Sequence, residues 1–130
     1  MDIVVDTSAL LAVVVGEPER DRLVEITTGH DLIGPGAIPW EVGNAFTAMY
    51  KQRRIDLEAA VKGCAIFQSI PIRYIEVDFE NAISVAFENS LYAYDAYFLD
   101  CAMRYAAPLL SLDRKLRRVA ESLNISVIEV

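Results

Sequence analysis

Four carboxylates stand where this chain could do chemistry: Asp6, Glu41, Asp95 and Asp113. Asp6 closes the Ile3-Val4-Val5 run, and Asp113 follows closely on Leu109-Leu110. Glu41 falls in the first turn of the helix expected after the loop Gly34 to Ile38, and Asp95 opens a strongly apolar helical stretch. Singly, each has an ordinary structural use. Asp6, Asp95 and Asp113 suit helix N-caps, and Glu41 near a helix start suits the helix dipole. Gathered at one place they would repel one another and raise each other's pKa, which is costly unless a cation lies between them. Oxygen ligands select hard cations such as magnesium or manganese over zinc, and His30, the only histidine, offers no nitrogen-rich alternative.

The elements that must position these acids follow from apolar spacing and chain breakers. Asp2 to Val5 reads as a short buried strand, and Thr7 to Val15 as a helix stopped by Gly16 and Pro18. Glu19 to Thr28 forms a second helix with Leu23 and Ile26 inward. A strand at Asp31 to Ile33 ends in Gly34-Pro35-Gly36. Pro39 starts a helix to about Gln52, with Val42, Ala45, Phe46 and Met49 on one face. Asp56 caps a helix whose Val61, Cys64, Ala65 and Gln68 share a face, and Ile70 to Val77 returns to strand. Asp78 precedes an amphipathic helix with Phe79, Ala82, Ile83, Ala86 and Phe87 inward, and Tyr94 to Ala107 is a helix buried on several sides. Leu109-Leu110, the helix Asp113 to Ser122 and the strand Ile125 to Ile128 complete the chain.

Strands and helices therefore alternate, which predicts a three-layer α/β/α domain over residues 1–130 with a mostly parallel central sheet of about five strands. In such a sheet a ligand lies outside the carboxyl ends of the strands, where these acids fall.

Composition narrows the classes. With 54% apolar and 24% charged residues and a mean hydropathy of +0.29, the chain has material for one core and too much Ile, Val, Leu and Ala for disorder. Its longest run without a charge is 10 residues, as from Thr7 to Gly16, against about 20 for a membrane helix. The start Met1-Asp2 lacks the basic leader of a secretory signal, so the expectation is cytoplasmic. Cys64 and Cys101, each within an apolar helical pattern, are expected to be buried thiols.

Asp6-Thr7-Ser8, Pro39-Trp40-Glu41-Val42-Gly43-Asn44-Ala45, Tyr94-Asp95-Ala96 and Ser111-Leu112-Asp113-Arg114, in that order along the whole chain, resemble the PIN-domain ribonucleases. More narrowly, they resemble the VapC-type toxins of bacterial and archaeal toxin–antitoxin pairs. The resemblance implies a magnesium- or manganese-dependent endoribonuclease in which Asp6, Glu41, Asp95 and Asp113 ring the metal and a metal-activated water attacks RNA. It implies products with a 5′-phosphate and a 3′-hydroxyl. It further implies support from Thr7 or Ser8, from Ser111 and from Asn44, one helical turn after Glu41. The hydroxyls Thr7, Ser8 and Ser111 have an alternative use as turn or capping groups. A homodimer and a small antitoxin covering the site are implied as partners, and Leu10, Leu11, Val14, Trp40 and Phe46 could supply such an interface, although core packing accounts for most of them. Trp40 itself reads as a core lid or, less favourably, a base-stacking surface. Asp100 departs from the family pattern, and Arg104 at i+4 is its expected partner.

The formal charge of −7, from 12 basic and 19 acidic residues, is unlike a protein that holds nucleic acid by charge alone. Metal would offset four of those acids, and the bases are clustered. Lys51, Arg53 and Arg54 form one group. Arg114, Lys115, Arg117 and Arg118 form another, placed to touch RNA phosphates if it is more than a solvated helix face. Other classes fit less well. A receiver domain needs a late Lys that Leu116 to Val130 lacks, an Asp-x-Asp phosphatase needs an acid where Ser8 stands, and no Walker loop occurs. The non-enzymatic alternative is a PIN-like module that binds a partner without cutting.

Overall fold

The computed structural model describes residues 1–130. Its strands are β1 (Asp2–Val5), β2 (Asp31–Pro35), β3 (Ile72–Ile75) and β4 (Leu109–Leu110). Its helices are α1 (Thr7–Val15), α2 (Arg20–Thr27), α3 (Ile38–Lys51), α4 (Leu57–Ser69), α5 (Phe79–Asn89), α6 (Ala93–Tyr105) and α7 (Arg114–Ser122). The strands pair in parallel in the order β3-β2-β1-β4. From central β1 the chain steps outward to β2 and β3, then returns to the other side for β4. The strand order therefore reverses beside β1, where the loops after β1 and β4 diverge and leave a crevice.

The expected fifth strand shrinks to one parallel bridge, Leu109 with Val127. Only two residues of β4 are in strand geometry, so there is little edge for Ile125 to Ile128 to extend. Helices α1 to α4 pack among themselves, α5 pairs with α6, and α6 lies across β1, β2 and β4, completing the three layers. Buried Ile3, Val4, Ile33, Leu109 and Leu110 from the sheet meet Leu10, Phe46, Phe98 and Leu99 from the helices. No helix is long and apolar enough to cross a membrane.

Several inward faces differ from those that spacing suggests. In α4 the buried residues are Gly63 and Phe67, while Val61 and Cys64 are exposed. A Cβ on Gly63 would come within 2.7 Å of Phe46 Cζ, so α4 closes on the Phe46 ring through the glycine and turns Val61 outward. In α5, Ala82, Val85 and Ala86 are buried and Phe79 and Phe87 exposed, because small side chains let α5 lie close on α6. Leu10, Val14 and Phe46 belong to the core and cannot supply an interface. Cys101 is buried as expected, and burial pushes its thiol up to about 12, so it stays protonated.

Asp100 is also reassigned. Its fully buried carboxylate accepts from the Asp78 backbone N–H and the Asn81 side-chain amide, both at 2.8 Å, while Arg104 Nη1 donates to the Glu76 carbonyl at 2.6 Å. Asp78 is the N-cap of α5 and Asn81 its third residue, so Asp100 satisfies from α6 the N–H that a capping box would satisfy locally.

Candidate active site

Asp6 leaves β1 at its carboxyl end and caps α1, with Oδ1 accepting from the Ala9 N–H at 3.0 Å. Ser8 Oγ donates to the same oxygen at 2.7 Å, and Ser111 Oγ, from the loop after β4, donates to Oδ2 at 2.5 Å. Of the four or so acceptor positions on a carboxylate, three are filled, so the group is fixed with one left over. Burial pushes its pKa up, the bonds from Ser111, Ala9 and Ser8 oppose this, and the Asp113 charge adds to the rise. The serines also tie the two loops together: Leu112 N–H donates to Ser8 Oγ, and Asp113 N–H to Ser111 Oγ, each at 3.0 Å. Asp113 then caps α7 by accepting from the Leu116 N–H at 3.0 Å.

Glu41 enters from the first turn of α3, which follows β2 after a two-residue loop. Its pKa is raised to about 7, by burial first and then by Asp95 and Asp6. The Thr7 hydroxyl lies close enough to offset part of that rise. Even so, Thr7 Oγ1 and Glu41 Oε2 are buried with no hydrogen-bond partner. Asp95 sits in the first turn of α6, but the N-cap of that helix is Tyr92, so capping does not explain Asp95. Burial and the Asp113 charge raise its pKa, and Lys115 opposes them.

The mutual influences close a ring: Glu41 feels Asp95 and Asp6, Asp95 feels Asp113, and Asp113 acts on Asp6. Four acids from four elements are thus electrostatic neighbours at the carboxyl end of the sheet. No three acidic, histidine or cysteine side chains form a closed metal-ligand group in this arrangement. The fit to a hard divalent cation rests instead on the all-oxygen donor set, on the burial and mutual repulsion that lift three of the carboxyls, and on the unpartnered oxygens of Thr7 and Glu41.

Thr7, Trp40, Glu41, Asn44, Ala45 and Tyr94 line a cleft of about 280 Å³. Asn44 stands beside Glu41 as the helical spacing requires, whereas Trp40 is exposed on the rim and not a core lid. Tyr94 was not singled out from the sequence, although its place immediately before Asp95 was a usable signal. Arg114 is exposed next to Asp113, and Lys115 Nζ donates to the Ser90 carbonyl at 2.9 Å, fixing that cation near the start of α6. The Lys51, Arg53 and Arg54 group lies at the far end of α3 from Glu41. A larger cavity, of about 530 Å³, lies at the other end of β1 and β4 around Met1 and Pro108, and no acid lines it.

A family model described as PIN domain matches residues 3–122. No curated protein matches the chain. Among solved structures, PAE2754 from Pyrobaculum aerophilum aligns with a TM-score of 0.70 and 23% identity over 95% of this chain and 86% of its own. VapBC2 from Rickettsia felis, bound to a DNA fragment from its promoter, aligns at 0.65 and 14% identity over 98% of each chain. Mycobacterium tuberculosis VapC20, a toxin that cleaves the sarcin-ricin loop, aligns at 0.65 and 16% identity over 98% of this chain and 99% of its own. At these identities the likeness speaks for the fold.

Proposed function

The chain belongs to the PIN-domain family, and from that premise we propose that it is a divalent-metal-dependent endoribonuclease and the toxin of a toxin–antitoxin pair. The observation that carries this reading is the ring of acids at the carboxyl end of the sheet, in which Asp6, Glu41 and Asp95 each feel the charge of another member and Asp113 acts on Asp6 and Asp95. A module that merely bound a partner would gain nothing from holding so many mutually repelling acids together, with Glu41 lifted to about 7. The VapBC2 and VapC20 structures support the toxin assignment through the shared fold.

On this reading the four carboxylates hold magnesium or manganese. When bound, such an ion supplies charge relief at the scissile phosphate and acidifies a water for in-line attack. Ser8 and Ser111 keep Asp6 in one orientation, so it needs no rearrangement to act as a ligand. Without a cation the Glu41 carboxyl sits near neutrality, so Glu41 is placed to release a proton as the cation enters. Thr7 and Asn44 flank it in the cleft. Arg114 and Lys115 lie beside Asp113, where they contact phosphates next to the cut. In the cell the substrate RNA and a small antitoxin share the cytoplasm with the protein. The homodimer implied by this class would cover exposed apolar side chains such as Phe79 and Phe87 on α5.

The purified protein should cut RNA in magnesium or manganese and stop in chelator, leaving 5′-phosphate and 3′-hydroxyl ends on mapping. Asp95→Asn should abolish cutting with the fold intact. Robust cleavage in chelator, or full activity in that variant, refutes the proposal. The toxin assignment is tested by expression alone, which should arrest growth, and by co-expression of a small adjacent reading frame, which should relieve the arrest. Harmless expression removes the toxin assignment and leaves the nuclease reading in place.

A further inference from the structure

Trp40 and Tyr94 occupy equivalent places in the architecture. Each lies one residue before a site acid, in the first turn of its helix. Successive helix residues point about 100° apart, so the carboxylate can turn into the cleft while the ring stays on its rim. Both rings line the 280 Å³ cleft together with Glu41. Trp40 is 75% exposed and Tyr94 54%, so neither contributes much to the core, where rings of that size normally do their stabilising. Tyr94 is braced by an edge-on contact with Tyr97 at 5.9 Å, and Tyr97 stacks on Phe79 at 6.4 Å. The Tyr94 side of the cleft is therefore supported from behind.

We propose that Trp40 and Tyr94 form a subsite that stacks one unpaired nucleobase of the RNA next to the scissile phosphate. The inference rests on the endoribonuclease reading and adds the two side chains that hold the base. With a formal charge of −7, the protein draws little affinity from phosphates. A base is neutral and stacks on an aromatic face regardless of the surrounding acids. In a duplex that face is covered by the neighbouring bases and the major groove is too narrow to enter, so an aromatic-lined cleft beside the acids selects splayed nucleotides. Base identity matters little to stacking, so the subsite selects for strandedness rather than sequence.

Trp40 is the only tryptophan, and its fluorescence reports the subsite directly. The probe is a methylphosphonate-linked heptanucleotide, which cannot be cut and carries no backbone charge. Titration into the full-length protein should quench Trp40 saturably, and the same probe made abasic at every position should not. Tyr94→Ala should weaken binding roughly 5- to 150-fold, the range that loss of one stacking partner gives, and Tyr94→Phe should restore it. In cleavage of an unpaired RNA, Trp40→Ala should raise KM more than it lowers kcat, and Trp40→Phe should recover it. Base-dependent quenching by a protein that cuts no RNA supports the subsite and overturns the nuclease reading instead. Cleavage without base-dependent quenching overturns the subsite. So do alanine variants that bind and cut like the wild type, including ones that lose only affinity for a protein partner.

Discussion

Glu41→Gln should make the metal-free protein more stable. The carboxyl is lifted from 4.5 to about 7, by burial first and then by the charges of Asp95 and Asp6. At about 1.4 kcal/mol per pKa unit, the ionised form costs at most roughly 3 kcal/mol in the folded state. Because the group is only half-buried, solvent screening reduces this to roughly 1–2 kcal/mol. The sign follows from proton occupancy. Between pH 4.5 and about 7 the folded protein keeps the Glu41 proton while the unfolded chain has lost it, so stability falls as pH rises through that window. Glutamine cannot ionise and escapes the loss. In chelator at pH 8 the variant should therefore melt roughly 3–8 °C above the wild type, and the difference should vanish toward pH 4.5. Magnesium should stabilise the wild type more than the variant and close the gap at pH 8. Equal or lower stability of Glu41→Gln at pH 8 in chelator, or a gap that does not change with pH, would refute the claim that burial and the neighbouring acids destabilise ionised Glu41.

Ser111→Ala removes a buried hydroxyl that donates to Asp6 and accepts from the Asp113 N–H; the urea midpoint should report a loss of about 1–3 kcal/mol, together with weaker metal binding. Asp100→Ala strands the Asp78 N–H and the Asn81 amide, so denaturation should show a loss of about 3 kcal/mol while the folded fraction still binds metal and cuts. If Asp100→Asn folds normally yet fails to bind metal, Asp100 belongs to the site after all. Arg114→Ala should weaken RNA binding evenly across sequences and lower the salt slope by about one, as measured by filter binding at several salt concentrations.

The sheet and its helices were legible in the sequence because chain breakers and capping acids sit where elements change: Gly16, Pro39, Asp56, Asp78 and Pro108 each lie at a boundary or within two residues of one. Helix faces were less legible wherever small residues decide them. Spacing ranks Val61 and Phe87 as inward, but Gly63 against Phe46 and the alanines of α5 let the backbones approach closely and rotate those larger side chains outward. Asp6 and Asp113 could be proposed from their places after strands, and Glu41 and Asp95 from the starts of their helices; the structure adds their neighbourhood and the serine network around Asp6, which spans more than a hundred residues. The partner of Asp100 could not be read locally, because Arg104 is near in sequence while Asn81 is brought close only by the α5–α6 pairing. The sequence favours a core lid over a base-stacking surface for Trp40, and its exposure at the mouth of the cleft overturns the core reading.

Manganese binding at neutral pH, followed by calorimetry in two buffers of different ionisation enthalpy, addresses the heart of the account. One saturable site class should appear, with net proton release from Glu41 as the cation enters, and Asp6→Asn and Asp95→Asn should each abolish or greatly weaken it. A wild-type protein with no saturable manganese binding, or binding left unchanged when Asp6 and Asp95 are neutralised, would contradict it.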